Sequence, residues 1–561
     1  MRILFPVLAL SASIALAAGV MVPTAAAAPS PASPRSDAGI PPPPWTIPAK
    51  TEFAYGVAAG EAKATSIVLW ARAGRPGTAT LEVATDEGFG TIVHSRTMPS
   101  VPEEDFTLRA LVEGLRPGTS YYYRFTMEGD VSDIGRFRTA PRRTSRTAVS
   151  FAFSGDAQAT PNPATGKPFF NDFEVFDRMV EEGNDFNILQ GDTIYSDTQV
   201  GGVVDGVELI SPWVARTLEE KWSVYRQNLD LEPMARFRGA SAVFNHWDDH
   251  EFINNFTVPD DGEELFDSGR EAFLDYTPMR GYDDSVGLYR TQRWGRHLQL
   301  FFLDQSSFRS KLAEEPCTNP ETGQPDPAPT LPQSMRNLYK ILVPALSWVI
   351  PRECLDEIAN PDRTVLGDRQ VQQFLADLRA TDATFKVVML QGPIQEIVVN
   401  QYDRWESYTH ARTELLTAIQ EISPRNLIFL TTDVHANFIG QVRMQTFGAG
   451  KPRVTPYLEV TTGPIAATTH RNQLGYAYGR PKLGEMVRDL FYTAPVDPKG
   501  LSGGLGMICA NIDTYSYGQV RVTGEKLTVT LKDMDGKRVV HEGTGPNAGK
   551  PCPVVTLKAR P

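Results

Sequence analysis

Cysteine is scarce: the 561-residue chain has four, and no two stand in a C-x-x-C pair. That spacing excludes the usual thiolate zinc and dithiol redox motifs. Cys317, Cys354, Cys509 and Cys552 are read instead as structural disulfides. Three pairings are open to them; the local one, Cys317 with Cys354 and Cys509 with Cys552, closes loops away from the acidic motifs described below. Positive charge is also in deficit, with 55 Lys and Arg against 67 Asp and Glu, a formal net charge of −12. Such a chain repels nucleic-acid backbones and anionic membranes at long range, so no stable nucleic-acid partner is expected. A small phosphorylated substrate drawn to a local cation remains compatible. Beyond the N-terminus no run is long and apolar enough for an integral membrane span. There is no internal repeat, no twin-arginine pair, and no cysteine near the N-terminal cleavage region to carry a lipid.

What the N-terminus does have is the pattern of an export signal. Arg2 precedes a nearly apolar stretch from Ile3 to Val22, and Ala25 to Ala28 offer an A-x-A cleavage site. An anchor helix is the rival reading; Pro6, the serines and the alanine cluster favour cleavage. Residues 1–28 are therefore expected to be a signal peptide, and the protein to be secreted, periplasmic or extracellular. A Pro/Ala-rich linker over 29–48, ending in Pro41 to Pro44, follows.

The remaining length exceeds one compact domain. Over 49–142, β-branched and aromatic runs such as Ser66–Arg72 and Ser120–Phe125 are cut by Gly, Pro and Asp, which predicts a small β-sandwich. From Thr147 strands alternate with helical spacing: Val149–Phe153, the segment holding Phe173, Phe176 and Met179, then Phe186–Leu189. Further apolar runs follow at Ala242–Phe244, Leu298–Leu303, Phe385–Leu390, Leu427–Leu430 and Tyr457–Val460. This predicts a layered α/β domain over 147–561, with a proline-rich, cysteine-stapled insertion from Ser310 to about Asp362.

Polar clusters fall where these strands end. Asp156, Asp192 with Tyr195, the run Trp247-Asp248-Asp249-His250-Glu251, and Asp433 with His435 each begin within a few residues of an apolar strand's carboxyl end. In an α/β fold that edge is where loops converge to build sites. Carboxylates and imidazoles gathered there repel one another unless cations compensate. Mixed Asp, His and Tyr donors suit Fe³⁺, Mn²⁺, Zn²⁺ or Ca²⁺. A two-metal site polarises a phosphoryl group and activates water, with Asp192 the natural bridge.

Gly191-Asp192-Thr193-Ile194-Tyr195, Trp247 to Glu251 and Asp433-Val434-His435 resemble the motifs of PhoD-like alkaline phosphatases, a branch of the calcineurin-like metallophosphoesterases. Supporting matches are Leu366 to Gln370 and Trp405 to Tyr408 with Arg412, and the β-rich start is similar to the family's fibronectin-like N-terminal domain. The resemblance implies a layered α/β metallophosphoesterase fold preceded by that domain. It implies an Fe³⁺ site using Asp192, Tyr195 and His435, and a Ca²⁺ site using Asp192, Asp249 and Asp433. His250 becomes the proton donor or phosphoryl stabiliser, and a metal-activated water the nucleophile. The family's A-S-C-Q cysteine is replaced here by Ala157, so Asp156 is taken as the substitute ligand, and Zn²⁺ or Mn²⁺ also come into consideration. Asp304 to Arg309 likewise departs from the family's L-D-x-R run.

Plainer roles suit the neighbours. Asp249 aligns with the superfamily's Asn-His pair, leaving Asp248 structural. His246 is expected to be structural, and Asn245, Gln391 and Asn437 to hold backbone rather than complete coordination. Arg412 and His410 stand on a predicted helix, either on a solvated face or touching phosphate. The activity expected is phosphomonoester hydrolysis; the alternative is a phosphodiesterase or phospholipase D-like reaction, with a phospholipid as substrate. An inactive carbohydrate-binding protein would leave the ligand-bearing loops unexplained.

Overall fold

The computed structural model describes residues 41, 43, 52–162, 165–198, 203–204, 207–208, 213–341, 343–399, 401–447, 451–477, 482–499, 503–544 and 547–560. The expected signal peptide and nearly all of the linker lie outside the described residues.

Two large sheets form the frame. One has nine strands in the order Val555–Lys558, Lys526–Asp533, Ser516–Val522, Val149–Ser154, Phe186–Gln190, Ala242–His246, Val57–Gly60, Ser66–Arg72 and Thr107–Glu113. The other has seven: Arg290–Trp294, Leu298–Phe302, Phe385–Met389, Leu427–Thr431, Arg453–Thr461, Asn437–Gln445 and Cys509–Asn511. Strand periodicity explains how they stack. Val149, Phe151 and Phe153 point one way, into a core shared with Phe302, Val387 and Leu430 of the second sheet, while Ala152 points the other way toward helices. Across that core Phe186 meets Trp294 with ring centroids 4.5 Å apart, and Phe244 meets Phe302 at 5.7 Å. Helices cover both outer faces. Phe176 of Glu174–Glu181 stacks on Phe237 on one side, and Phe374 of Asp368–Ala380 packs edge-on against Phe301 on the other. The result is the layered α/β sandwich that the alternation of strand and helix implies.

The central strands of both sheets are parallel and in step. Phe153 pairs with Ile188 and Ile188 with Phe244, so the three strands end at one edge; Val388 pairs with Phe429 in the other sheet. Every predicted α/β strand is present, with ends shifted by a few residues.

The N-terminal region is built into this frame rather than appended. Its strands Gly77–Ala84, Ile92–Ser100, Ser120–Met127, Asp130–Val131 and Gly135–Arg138 make a separate sheet, but Val57–Gly60, Ser66–Arg72 and Thr107–Glu113 extend the nine-stranded one. The join is parallel, Ala59 opposite Ala242 and Gly60 opposite Val243. A Cβ at Gly60 would lie 2.5 Å from the Pro278 carbonyl oxygen, so glycine permits the approach. A buried ion cluster clamps the same corner: Arg72 Nη2 stands 2.8 Å from Asp105 Oδ1, and Arg226 and the Tyr276 hydroxyl bond the other carboxylate oxygen.

Disulfides join Cys317 to Cys354 and Cys509 to Cys552, the local pairing. Among the described residues no helix is long and apolar enough to cross a membrane.

Candidate metal centre

The shared strand edge delivers the polar clusters to one place. Asp156, Asp192, Asp433 and His435 all adopt left-handed backbone, with φ of 61°, 49°, 72° and 54°. Non-glycine residues take that conformation uncommonly, Asp and His more readily than most, and such turns gather at functional sites. Asp156, Asp192 and Asp433 each stand two residues past a strand end and His435 four, so sharp turns set all four at the sheet edge. Gly191 makes the closest turn: a Cβ there would sit 2.7 Å from Cβ of Asp248.

Two groups of ligand-type atoms result, each with its atoms within 4.8 Å of one another: Asp156, Asp192 and His435, and Asp192, Asp249 and His250. Asp192 belongs to both. The Tyr195 hydroxyl lies 3.0 Å from Nε2 of His435, and that nitrogen lies 3.7 Å from Asp156 Oδ1. The Nδ1 side of His435 faces the Thr468 carbonyl, which fixes a proton there and leaves the Nε2 lone pair toward Asp156. Burial pulls this imidazole down to about 4, so it is neutral at physiological pH.

The carboxylates do not satisfy one another. Asp156 Oδ2, Asp249 Oδ1 and Asp433 Oδ2 are buried with no hydrogen-bond partner. Asp192 and Asp248 are held well above the usual carboxylate range, first by burial and then by the negative charge of Asp249. Asp433 is raised likewise by burial and then by Asp403. Burial is also the main reason that Asp156 is pushed up to about 8, against the opposing pull of His250. Native proteins rarely leave buried acceptors unpaired, and an array of oxygen donors this dense is stable as anions only around cations. The donor set therefore fits bound metal.

The structure brings Asp156, Asp192, Asp249, His250 and His435 together, and residues with no role assigned from the sequence brace them. Glu251, fully buried, receives the Thr193 backbone N–H and hydroxyl on one oxygen, each at 2.6 Å, and the Asp248 N–H on the other at 2.9 Å. It ties the Asp192 loop to the Asp249 loop. Lys221 Nζ donates to the Glu251 and Phe252 carbonyls, both at 3.0 Å. Asp197, two residues past Tyr195, stands 2.5 Å from His250 Nδ1, and the Tyr195 and His250 rings lie 4.0 Å apart. A second acid just beyond the G-D-x-x-Y run was the available signal for Asp197.

Other residues take the plainer roles. Gln391 bonds His246 Nδ1 and the Trp247 carbonyl, and Asn245 and Asn437 donate to backbone carbonyls. Asp248 accepts from the Ser306 hydroxyl at 3.3 Å. Arg412 is buried rather than solvated, and its guanidinium donates to the Ile394, Arg443 and Met444 carbonyls. His410 pairs with Glu414 on the outer face, at 3.2 Å.

The family model for PhoD-like phosphatase matches residues 163–490, and that for the family's N-terminal domain matches 41–141. Alkaline phosphatase D of Bacillus subtilis (strain 168) is 25% identical over 441 residues, 70% of this chain and 66% of that protein, just under two thirds of its length. A solved structure of PhoD superposes with a TM-score of 0.64 at 20% identity, covering 89% of this chain and 93% of the other. The purple acid phosphatase PPD1 of yellow lupin gives 0.50 at 10% identity, over 87% and 73%. Those two likenesses are of fold.

Proposed function

Because the chain belongs to the PhoD-like phosphatase family, we propose that it is a metal-dependent phosphoester hydrolase acting on phosphomonoesters. The observation that carries this reading is the trio of buried, unpartnered carboxylate oxygens on Asp156, Asp249 and Asp433: the first two group with Asp192, and the charges of both bear on Asp433. Asp156, Asp192, Tyr195 and His435 would hold one cation, Fe³⁺ by the phenolate donor, and Asp192, Asp249 and Asp433 a second, Ca²⁺. When bound, the pair supplies Lewis acidity to the phosphoryl group and acidifies the attacking water.

The chain's own groups do the rest. In hydrolysis the water oxygen bonds phosphorus, the ester P–O bond breaks, and the leaving oxygen needs a proton. His250 would give it: Asp197 holds Nδ1 at 2.5 Å, which supports Nε2 as the donor toward substrate. Tyr195, packed against the same ring, restricts its rotation. Glu251 holds the two ligand loops in register, so the distances are set before substrate arrives. Two disulfides fit an oxidising compartment and support export.

The test is turnover of 4-nitrophenyl phosphate, bis(4-nitrophenyl) phosphate and a phospholipid by metal-loaded protein. Faster monoester hydrolysis is expected. Reaction with the diesters alone would replace this reading by the phosphodiesterase or phospholipase D-like one.

A further inference from the structure

The strand Arg453–Thr461 runs parallel to Leu427–Thr431, with Thr461 opposite Thr431, so both release their chains at the same sheet edge. Asp433 and His435 follow the one, residues 463–471 the other. This second segment crosses from the Asp156 loop to His435. Near its start the Ile465 and Ala466 N–H groups donate to the Gly155 and Asp156 carbonyls at 2.9 and 3.0 Å, and the Gln158 N–H donates to the Ala466 carbonyl at 2.7 Å. Near its end it grips His435 twice: the Thr468 carbonyl accepts from Nδ1, and the His470 N–H donates to the His435 carbonyl at 3.0 Å.

Thr469 stands between those two grips. It is 3% exposed, and its hydroxyl donates to Asp513 Oδ1 at 2.7 Å. The other oxygen of that carboxylate accepts from Arg471 Nη1, also at 2.7 Å, and the Arg471 N–H donates to the Ile512 carbonyl at 2.9 Å. Asp513 lies two residues past the strand Cys509–Asn511, which pairs with Asn437–Gln445, the strand that starts two residues past His435. One carboxylate thus pins residues 469 and 471 to the frame. A carbonyl oxygen points where its peptide plane points, so holding Thr469 sets the direction of the Thr468 oxygen.

Resting on the metal-dependent hydrolase reading, we propose that Thr469 and Asp513 are positioning residues for the group formed by Asp156, Asp192 and His435: they keep the Thr468 carbonyl against Nδ1 of His435 and so keep Nε2 turned toward Asp156. Such outer partners fix the tautomer and ring orientation of a metal-binding imidazole. Among the described residues no hydrogen bond joins the segment 463–471 to Asp249, Asp433 or His250. The positioning therefore serves one of the two cations and not the other.

The experiment titrates chelator-stripped parent, Thr469→Val and Thr469→Ser with Zn²⁺ by equilibrium dialysis, with the melting of each stripped protein alongside. Valine keeps the shape and drops the hydroxyl; serine restores it. In Thr469→Val the Zn²⁺ equivalent that His435→Ala abolishes is expected to bind about 10- to 100-fold more weakly, the cost usual for a lost outer partner. The other equivalent and the Tm hold, and Thr469→Ser binds like the parent. Unchanged affinity for both equivalents overturns the proposal. So does an equal weakening of both, or a weakening that serine does not restore, since either marks a general loosening of the fold. Should Thr469→Val not fold, Asp513→Ala removes the same anchor from its half-exposed side, and unchanged binding there overturns the proposal equally. Failure of the hydrolase reading looks different: the parent binds Zn²⁺ but turns over neither ester, while the selective loss in Thr469→Val persists.

Discussion

The carboxylate of Asp197 lies 2.5 Å from Nδ1 of His250, joining the loop after one strand to the loop after its neighbour. Burial lowers the pKa of this imidazole, but the charges of Asp197 and Asp249 and the Asp197 hydrogen bond outweigh it and push the ring up to about 9. A cation held at Asp249 works against that rise, so the metal-loaded protein titrates at or below this value. In the proposed role of proton donor His250 acts while protonated, and kcat is then expected to fall as pH rises through its pKa. Asp197→Asn removes the largest raising influence. Its alkaline limb should move toward neutral pH with metal content unchanged; an unmoved pH–rate profile would take the proton-donor role from His250.

Asp192 is the one side chain common to both ligand groups. Asp192→Asn is expected to cost at least about 100-fold in kcat, since even outer-sphere changes at metal sites cost 10- to 100-fold, and to release one metal or both. Elemental analysis reads the second effect and circular dichroism checks that the fold survives. Near-normal turnover would remove Asp192 from the bridge.

Stripping the metal should make stability fall with rising pH. The folded pKa of Asp156 is raised from 3.8 to about 8, and Asp192, Asp248 and Asp433 are raised with it, chiefly by burial. Groups raised in the folded state favour folding fully below their unfolded pKa and lose that contribution as pH climbs through the folded value. Between about pH 4 and 8 the Tm of chelated protein is therefore expected to drop relative to metal-loaded protein. Parallel Tm curves across that range would mean that the acidic cluster is not held together by cations.

Asp105 has the opposite sign. Burial would raise it, but Arg72 beside it, with help from Tyr276 and Arg226, holds it below the usual carboxylate range. Its contribution is present above about pH 4 and is lost as pH falls through the folded value. Asp105→Asn leaves two buried guanidinium groups short of a counter-charge, and a loss of about 3 kcal/mol is expected at neutral pH. Urea unfolding at pH 7 and pH 3 measures both the loss and its narrowing in acid.

Much of the fold is legible in the chain because strand periodicity is local. Phe151 and Phe153 announce a buried strand, and the polar residues after it announce an edge. The place of the acidic residues is legible for the same reason: Asp156, Asp192 and Asp433 follow their strands directly. What is hidden depends on partners far away in sequence. Arg412 looks like a surface helix residue until the Ile394 and Arg443 carbonyls are seen to meet it. Val57–Gly60 is too short and too small-sided to declare that it pairs with Ala242–His246, so the sandwich expected over 49–142 gave no sign that one of its sheets would continue into the α/β frame.

That continuity constrains how the protein can be cut, grafted or recombined. A fragment starting near residue 147 would bring Ala242–His246 to the rim of its sheet with unspent backbone donors and acceptors facing water. Such a rim recruits any extended peptide that passes, including a second copy of itself. The strand Val57–Gly60 thus serves as a built-in stopper for the α/β sheet it borders.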